Sequence, residues 1–432
     1  MIIELDRAGG ARRRSPILRA TDRRITFGGL VVAVAFLAVA GASLALPPSI
    51  RLGLWLPLHL ALAGAATTAI AAVLPFFTAA LAVASPVRPW IRIAGIVLVA
   101  TGAAAAVTVY GHARGDVVPA VLAGGAFIAG VGFVAVAALA PPRGALGVRR
   151  RPIEIAYAVA LADVGVGAAL ATLLLAGQRD IAADWPSIKP AHAWLNLLGF
   201  LSLTITATLV HLAPTIAGSQ IRLRRAAPFA IAGLAVGPPL VAGGYLGGWD
   251  PLARVGGALV VGAGWALAIH GWQVQRDRAR WTTEGAWHRL TSVSLLLGAS
   301  WFAAAATVAG GRVVALGATP EAWSLQLFLA PLVVGFVVQV LIGAWSHLLP
   351  SIGPGDATRH ALRRTILARW GIVRLVAINV GCGALWIGTV ASWPVIGLIG
   401  TVLCVGAVGS AILLFAGAAL TRASISAAAP SP

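Results

Sequence analysis

The sequence predicts an all-α integral membrane protein of about twelve transmembrane helices, in three four-helix units with a pseudo-threefold arrangement. Three observations predict it. Apolar stretches of about 20 residues recur along all 432 positions. Only 10% of residues are charged, 59% are hydrophobic and the mean hydropathy is +0.91, whereas a soluble domain carries about 25% charged residues. A motif in the sixth apolar stretch returns in the tenth. In hydrocarbon every backbone N–H must be bonded within its own segment, so the stretches are predicted to be helices. A transmembrane barrel would need short alternating segments, and none is visible.

Spans are predicted near 25–46, 54–84, 90–111, 117–140, 153–177, 191–216, 227–247, 252–272, 289–309, 325–350, 367–391 and 394–420. The positive-inside rule tests that count. With the N-terminus in the cytoplasm, 25 of the 32 basic residues fall in cytoplasmic segments. These are Arg7, Arg12 to Arg14, Arg19, Arg23 and Arg24; Arg88 and Arg92; Arg143 and Arg149 to Arg151; Arg222, Arg224 and Arg225; Arg276, Arg278, Arg280 and Arg289; Arg359, Arg363, Arg364 and Arg369; and Arg422. Six lie in outer segments: Arg51, Arg114, Arg179, Lys189, Arg254 and Arg312. Arg374 is within a span. One helix more or fewer breaks the alternation, so twelve spans with both ends cytoplasmic are expected.

The expected organisation is a basic cytoplasmic segment at 1–24, one membrane domain at 25–420 with units of about 25–150, 151–285 and 286–420, and a cytoplasmic tail at 421–432. The first apolar run is long enough to span and follows an Arg-rich stretch, unlike a cleavable signal. The expected location is the inner (plasma) membrane, with the lipid bilayer as the main partner. The net charge of +19 is spread over turns rather than gathered in a patch, so it marks topology and no nucleic-acid partner is expected. Cys382 and Cys404 lie in apolar runs and read as small core residues.

The repeat is ungapped. Gly199-Phe200, His211-Leu212 and Pro214 match Gly335-Phe336, His347-Leu348 and Pro350 at a constant offset of 136 residues. The second span carries a weaker echo, Leu74-Pro75, 139 residues before Pro214. Each interval covers four spans in the same orientation, unlike the inverted repeats of many transporters.

Polar groups at membrane depth are costly and are functional candidates. His59 and His192 open the second and sixth spans at similar depth. His211 and His347 close the sixth and tenth at the opposite side. His192 and His211 are about 28 Å apart along one helix, so they cannot share an ion, whereas either same-depth pair can hold haem or copper as facing histidines do in helical bundles. The competing reading is local capping at span ends. Asp163, Asn196, Gln339, Arg374 and Asn379 are the remaining buried polar candidates, as a proton path or as interhelical hydrogen bonds. Asp163 is also a candidate partner for Arg374.

The run Ala191-His192-Ala193-Trp194, then Gly199-Phe200, then Pro214 resembles a metal-binding helix of haem-copper oxidase subunit I, in particular of the cbb-type oxidases and nitric oxide reductases. Leu195 to Phe200 also resembles the membrane region fused to some bacterial copper nitrite reductases, and the NnrS family. The resemblance implies b-type haem and copper as cofactors, with His192 as a ligand on the motif and His59 as the haem ligand of the second span. It implies electron transfer or nitrogen-oxide-linked respiration, and a copper nitrite reductase or other redox partner on the outer face, with homo- or hetero-oligomers. The departures are specific. The family's second histidine falls on Trp194, the seventh span has no His-His pair, and the tenth has no histidine near its outer end. An intact oxygen-reducing binuclear centre is therefore not expected. Two alternatives remain: a transporter or channel for a small solute or metal ion on the same fold, lined by Asp163, Arg374, Asn196 and Gln339, and a non-catalytic structural or assembly subunit.

Overall fold

The computed structural model describes residues 16–82, 84, 86–113, 115–140, 147–177, 184–220, 226–280, 285–352 and 357–421. Several arginines used for topology lie outside the described residues: Arg7, Arg12 to Arg14, Arg114, Arg143, Arg179, Arg222, Arg224, Arg225 and Arg422. Among the described residues twelve helices are long and apolar enough to cross a membrane: Thr21–Ser43, Trp55–Ala80, Pro89–His112, Val117–Leu139, Pro152–Ala176, Trp185–Ala217, Ala226–Gly247, Asp250–Arg276, Ala286–Leu316, Ala330–Pro350, Gly371–Val390 and Pro394–Leu420. Each overlaps one expected span. Most ends differ by a few residues, because hydropathy marks the apolar part of a helix and backbone hydrogen bonding carries it into polar ends.

The fold falls into two compact units, one within Met1–Glu154 and Val164–Trp185, the other within Ile155–Asp163 and Pro186–Pro432. In the first, the third and fourth spans pair closely. Gly102 lies against the backbone of Phe127, and Gly130 against that of Val99. Arg92, counted with a cytoplasmic segment, lies in the first turn of the third span and is buried. It forms an ion pair with Asp22 of the first span, and its Nη2 donates to Thr26 Oγ1 at 2.9 Å and to the Ala72 carbonyl at 3.0 Å. Burial of this charge is tolerated because carboxylate, hydroxyl and carbonyl converge on it.

In the second unit the seventh span pairs with the eighth, the eighth with the ninth, and the eleventh with the twelfth. Small residues allow this approach: Gly257 meets Gly310, and Gly388 meets Gly397. Cys382 and Cys404 are free and buried, as expected of core residues. The sixth span is the most enclosed, 78% buried over its most apolar window, against 17% for the first. Large apolar side chains such as Val31, Leu122, Val395 and Leu413 face outward, which suits a lipid solvent. Trp90, Trp249, Trp272, Trp370 and Trp393 are exposed near span ends, the placement of a membrane-interface belt.

A twelve-residue helix outside the spans was not anticipated. Ala357–Ala368, read as an arginine-bearing loop, is helical and packs on the ninth, tenth and twelfth spans. Its Ala, Leu and Arg content favours helix. Arg363 is buried there and its Nε donates to the Ala418 carbonyl at 3.1 Å and to Thr421 Oγ1 at 3.3 Å.

The second, sixth and tenth spans share a further feature. Each contains a π-helical segment: Leu60–Ala66, Trp194–Ser202 and Ala330–Val338. The last two coincide at both ends under the 136-residue offset of the repeat. Runs this long are unusual, since π geometry is mostly confined to single turns and is frequent at functional sites. Thr67 Oγ1 donates to the Leu62 carbonyl at 3.0 Å, and Ser202 Oγ to the Leu197 carbonyl at 2.7 Å. Both reach five residues back, in the sense of the π winding.

Candidate functional site

Each π segment holds a glycine onto which the preceding span projects a side chain. A Cβ at Gly64 would strike the Phe36 ring, one at Gly199 the Asp163 carboxylate, and one at Gly335 the Trp301 indole. Gly199 and Gly335 each lie 15 residues before the proline of their span, whereas Gly64 lies 11 before Pro75. The echo in the second span is thus one helical turn out of register, which is why it reads as weak.

Of the three inserted side chains only Asp163 is ionisable. It is 6% exposed, and its Oδ2 has no hydrogen-bond partner. Along the sixth span other buried polar atoms are likewise without partners: Trp194 Nε1, Thr204 Oγ1 and Thr206 Oγ1. Tyr157 of the fifth span and Thr208, by contrast, share a hydroxyl–hydroxyl bond of 2.9 Å. The most enclosed helix therefore carries three buried polar atoms without partners, and one carboxylate oxygen of the fifth span meets it at Gly199; such groups can take up ordered water.

The histidines differ in what they offer. The His59 Nδ1 lies 2.7 Å from the Trp55 carbonyl. A carbonyl only accepts, so Nδ1 carries the proton and the ring lone pair is on Nε2, the tautomer of a metal-ligating histidine. Its ring stacks on Trp55 at 4.1 Å, and Trp55 on Tyr110 at 3.8 Å. His192 is set the other way. The Asn196 amide nitrogen donates to the His192 carbonyl at 2.7 Å and lies 3.1 Å from its Nδ1. A donor there makes Nδ1 the acceptor, which places the proton on Nε2 and fits ligation through Nε2 poorly. Two residues on, Trp194 is fully buried, with Trp323 6.4 Å away and Phe328 next to Trp323 at 5.5 Å. Aromatic rings thus fill the place where the resembled family has its second histidine. Phe328 is also the repeat counterpart of His192.

At the other end of these spans, the His211 carbonyl accepts from Thr215 Oγ1 at 3.0 Å, a local helix bond. His347 stacks on Trp287 at 5.2 Å, and His288 meets the same indole edge-on at 4.2 Å. Arg364 lies over Trp287 at 4.9 Å, and Trp287 Nε1 donates to the Ser346 carbonyl at 2.7 Å. This aromatic–cationic cluster was missed in the sequence, although alternating topology puts the start of the ninth span and the end of the tenth on one side. Among the described residues no three His, Cys, Asp or Glu side chains are grouped so as to hold a metal ion.

Asn379 has a structural explanation: its Oδ1 accepts from Trp301 Nε1 at 2.7 Å, and its Nδ2 donates to the Leu375 carbonyl at 2.7 Å. Asp163 and Arg374 form no ion pair. Arg374 instead donates Nη2 to the Leu367 carbonyl and borders a small cavity with Gln339.

Comparison with known proteins gives no match, either to a protein-family model or to a curated protein.

Proposed function

We propose that this protein is a divergent haem-copper-oxidase-like membrane protein that binds b-type haem through His59 and serves electron transfer linked to nitrogen-oxide respiration, without an oxygen-reducing binuclear centre. The observation that carries the reading is the His59 Nδ1 contact with the Trp55 carbonyl, which puts the ring lone pair on Nε2. The π segments in the second, sixth and tenth spans support a common ancestry for those helices. Haem, when bound, supplies one-electron chemistry. The chain supplies an oriented imidazole on a stacked Trp55–Tyr110 base. Copper does not fit as well: His192 offers a protonated Nε2 beside Asn196, and Trp194 occupies the neighbouring position. On this reading both termini are cytoplasmic, His59 is near the outer face of the plasma membrane, and a redox partner docks there.

The test is an absorption spectrum with metal analysis of protein purified in detergent from haem-replete cells. A Soret band is expected, lost in His59→Ala and retained in His192→Ala. A colourless protein, or a band unchanged in His59→Ala, overturns the reading.

A second reading is favoured by a specific observation, the Asp163 Oδ2 that is buried against Gly199 without a hydrogen-bond partner. On it the protein moves protons, or a small solute with them, along the sixth span. Proteoliposomes should then show transport that Asp163→Asn abolishes, with or without haem.

A further inference from the structure

The cavity beside Arg374 belongs to neither reading. It lies among the ninth to twelfth spans, and its free volume of about 10 Å³ suits a particle about the size of one water. Two of its walls are polar and almost wholly buried: Arg374 is 5% exposed and Gln339 is 1% exposed. Arg374 spends Nη2 on the Leu367 carbonyl, while Nε and Nη1 have no partner. Both heteroatoms of the Gln339 amide are also without partners. The third polar wall, Ser294, has its hydroxyl proton committed to the Leu290 carbonyl at 2.7 Å. The rest of the lining is aliphatic, including Ile342, Ile378 and Ala407.

The charge balance decides what belongs there. A guanidinium stays charged at any accessible pH. No carboxylate lines the cavity. A buried charge without a counter-charge is strongly disfavoured. The partial charge of carbonyls at the end of helix Ala357–Ala368 offsets it only in part. Two unpartnered guanidinium nitrogens and both heteroatoms of one amide border a space of single-particle size.

We propose that this cavity is a binding site for one small monovalent anion of the halide class. Its aliphatic walls favour an ion that sheds water readily.

The test uses the full chain in detergent. Thermal unfolding is followed in sodium chloride, sodium bromide and sodium gluconate at matched ionic strength. A saturable rise in melting temperature with chloride or bromide, and none with gluconate, is expected. Arg374→Gln should abolish the halide dependence, and Gln339→Leu should weaken halide binding about tenfold. Bromide anomalous scattering from wild-type crystals locates the ion directly if either variant fails to fold. Equal melting temperatures in the three salts, halide dependence unchanged in Arg374→Gln, or an ordered water alone between Arg374 and Gln339 overturns the proposal.

Discussion

The π segments of the sixth and tenth spans have the same length, the same register and a glycine at the same place, yet they receive different side chains. At Gly335 the guest is Trp301, whose indole N–H is satisfied by Asn379 and whose ring meets Trp386 edge-on at 6.2 Å. At Gly199 the guest is Asp163, with a carboxylate oxygen that finds no partner. The tenth span thus uses the widened helix to lock a large side chain in place, and the sixth uses the same device to hold a group that is costly to bury. A repeat can keep a backbone feature while one copy serves packing and the other becomes available for chemistry. The Phe36–Gly64 contact in the second span is a third copy, and it is apolar.

Substitutions can break or sharpen this contrast. The largest loss is expected from Trp301→Ala, about 3–5 kcal/mol from the cavity left behind, plus the unpaired Asn379 carbonyl. Unfolding in a detergent series should show it as the least stable of these variants. Gly335→Ala comes next, at about 1–3 kcal/mol, because its Cβ would need space held by the Trp301 ring. Smaller effects follow from Thr67→Ala and Ser202→Ala, each about 0.5–1.5 kcal/mol for one side-chain hydrogen bond. Amide exchange in the two π segments should quicken in the corresponding variant. Asp163→Leu should be the mildest, neutral or slightly stabilising, since it removes a buried polar group that lacks a partner. A stability loss there as large as that of Trp301→Ala would mean that Asp163 packs as its counterpart does, and the contrast between the two copies would disappear.

The candidate site was legible in parts. Asp163, Gln339 and Arg374 stood out because ionisable and amide groups within apolar runs are rare. His59 and His192 stood out for the same reason, but their tautomers depend on Trp55 and Asn196 four residues away in helical geometry. The packing of His347 on Trp287 and His288 was not legible, because alternating topology gives the shared side but not which helix faces meet. Nor was the Arg92–Asp22 pair, whose members are 70 residues apart. Asn379, read as a proton-path group or an interhelical hydrogen bond, accepts from Trp301 of a neighbouring span.

Composition and the spacing of apolar runs by themselves determined that the chain is helical and crosses a membrane twelve times. Hydrocarbon offers no hydrogen bonds, so any long apolar run must satisfy its own backbone. The ungapped motif likewise marked the sixth and tenth spans as related. Tertiary structure alone decided where the helices widen into π geometry, which side chain fills each glycine notch, and which buried polar groups are left without partners. Those outcomes depend on contacts between residues far apart in the chain, and no local pattern of hydropathy encodes them.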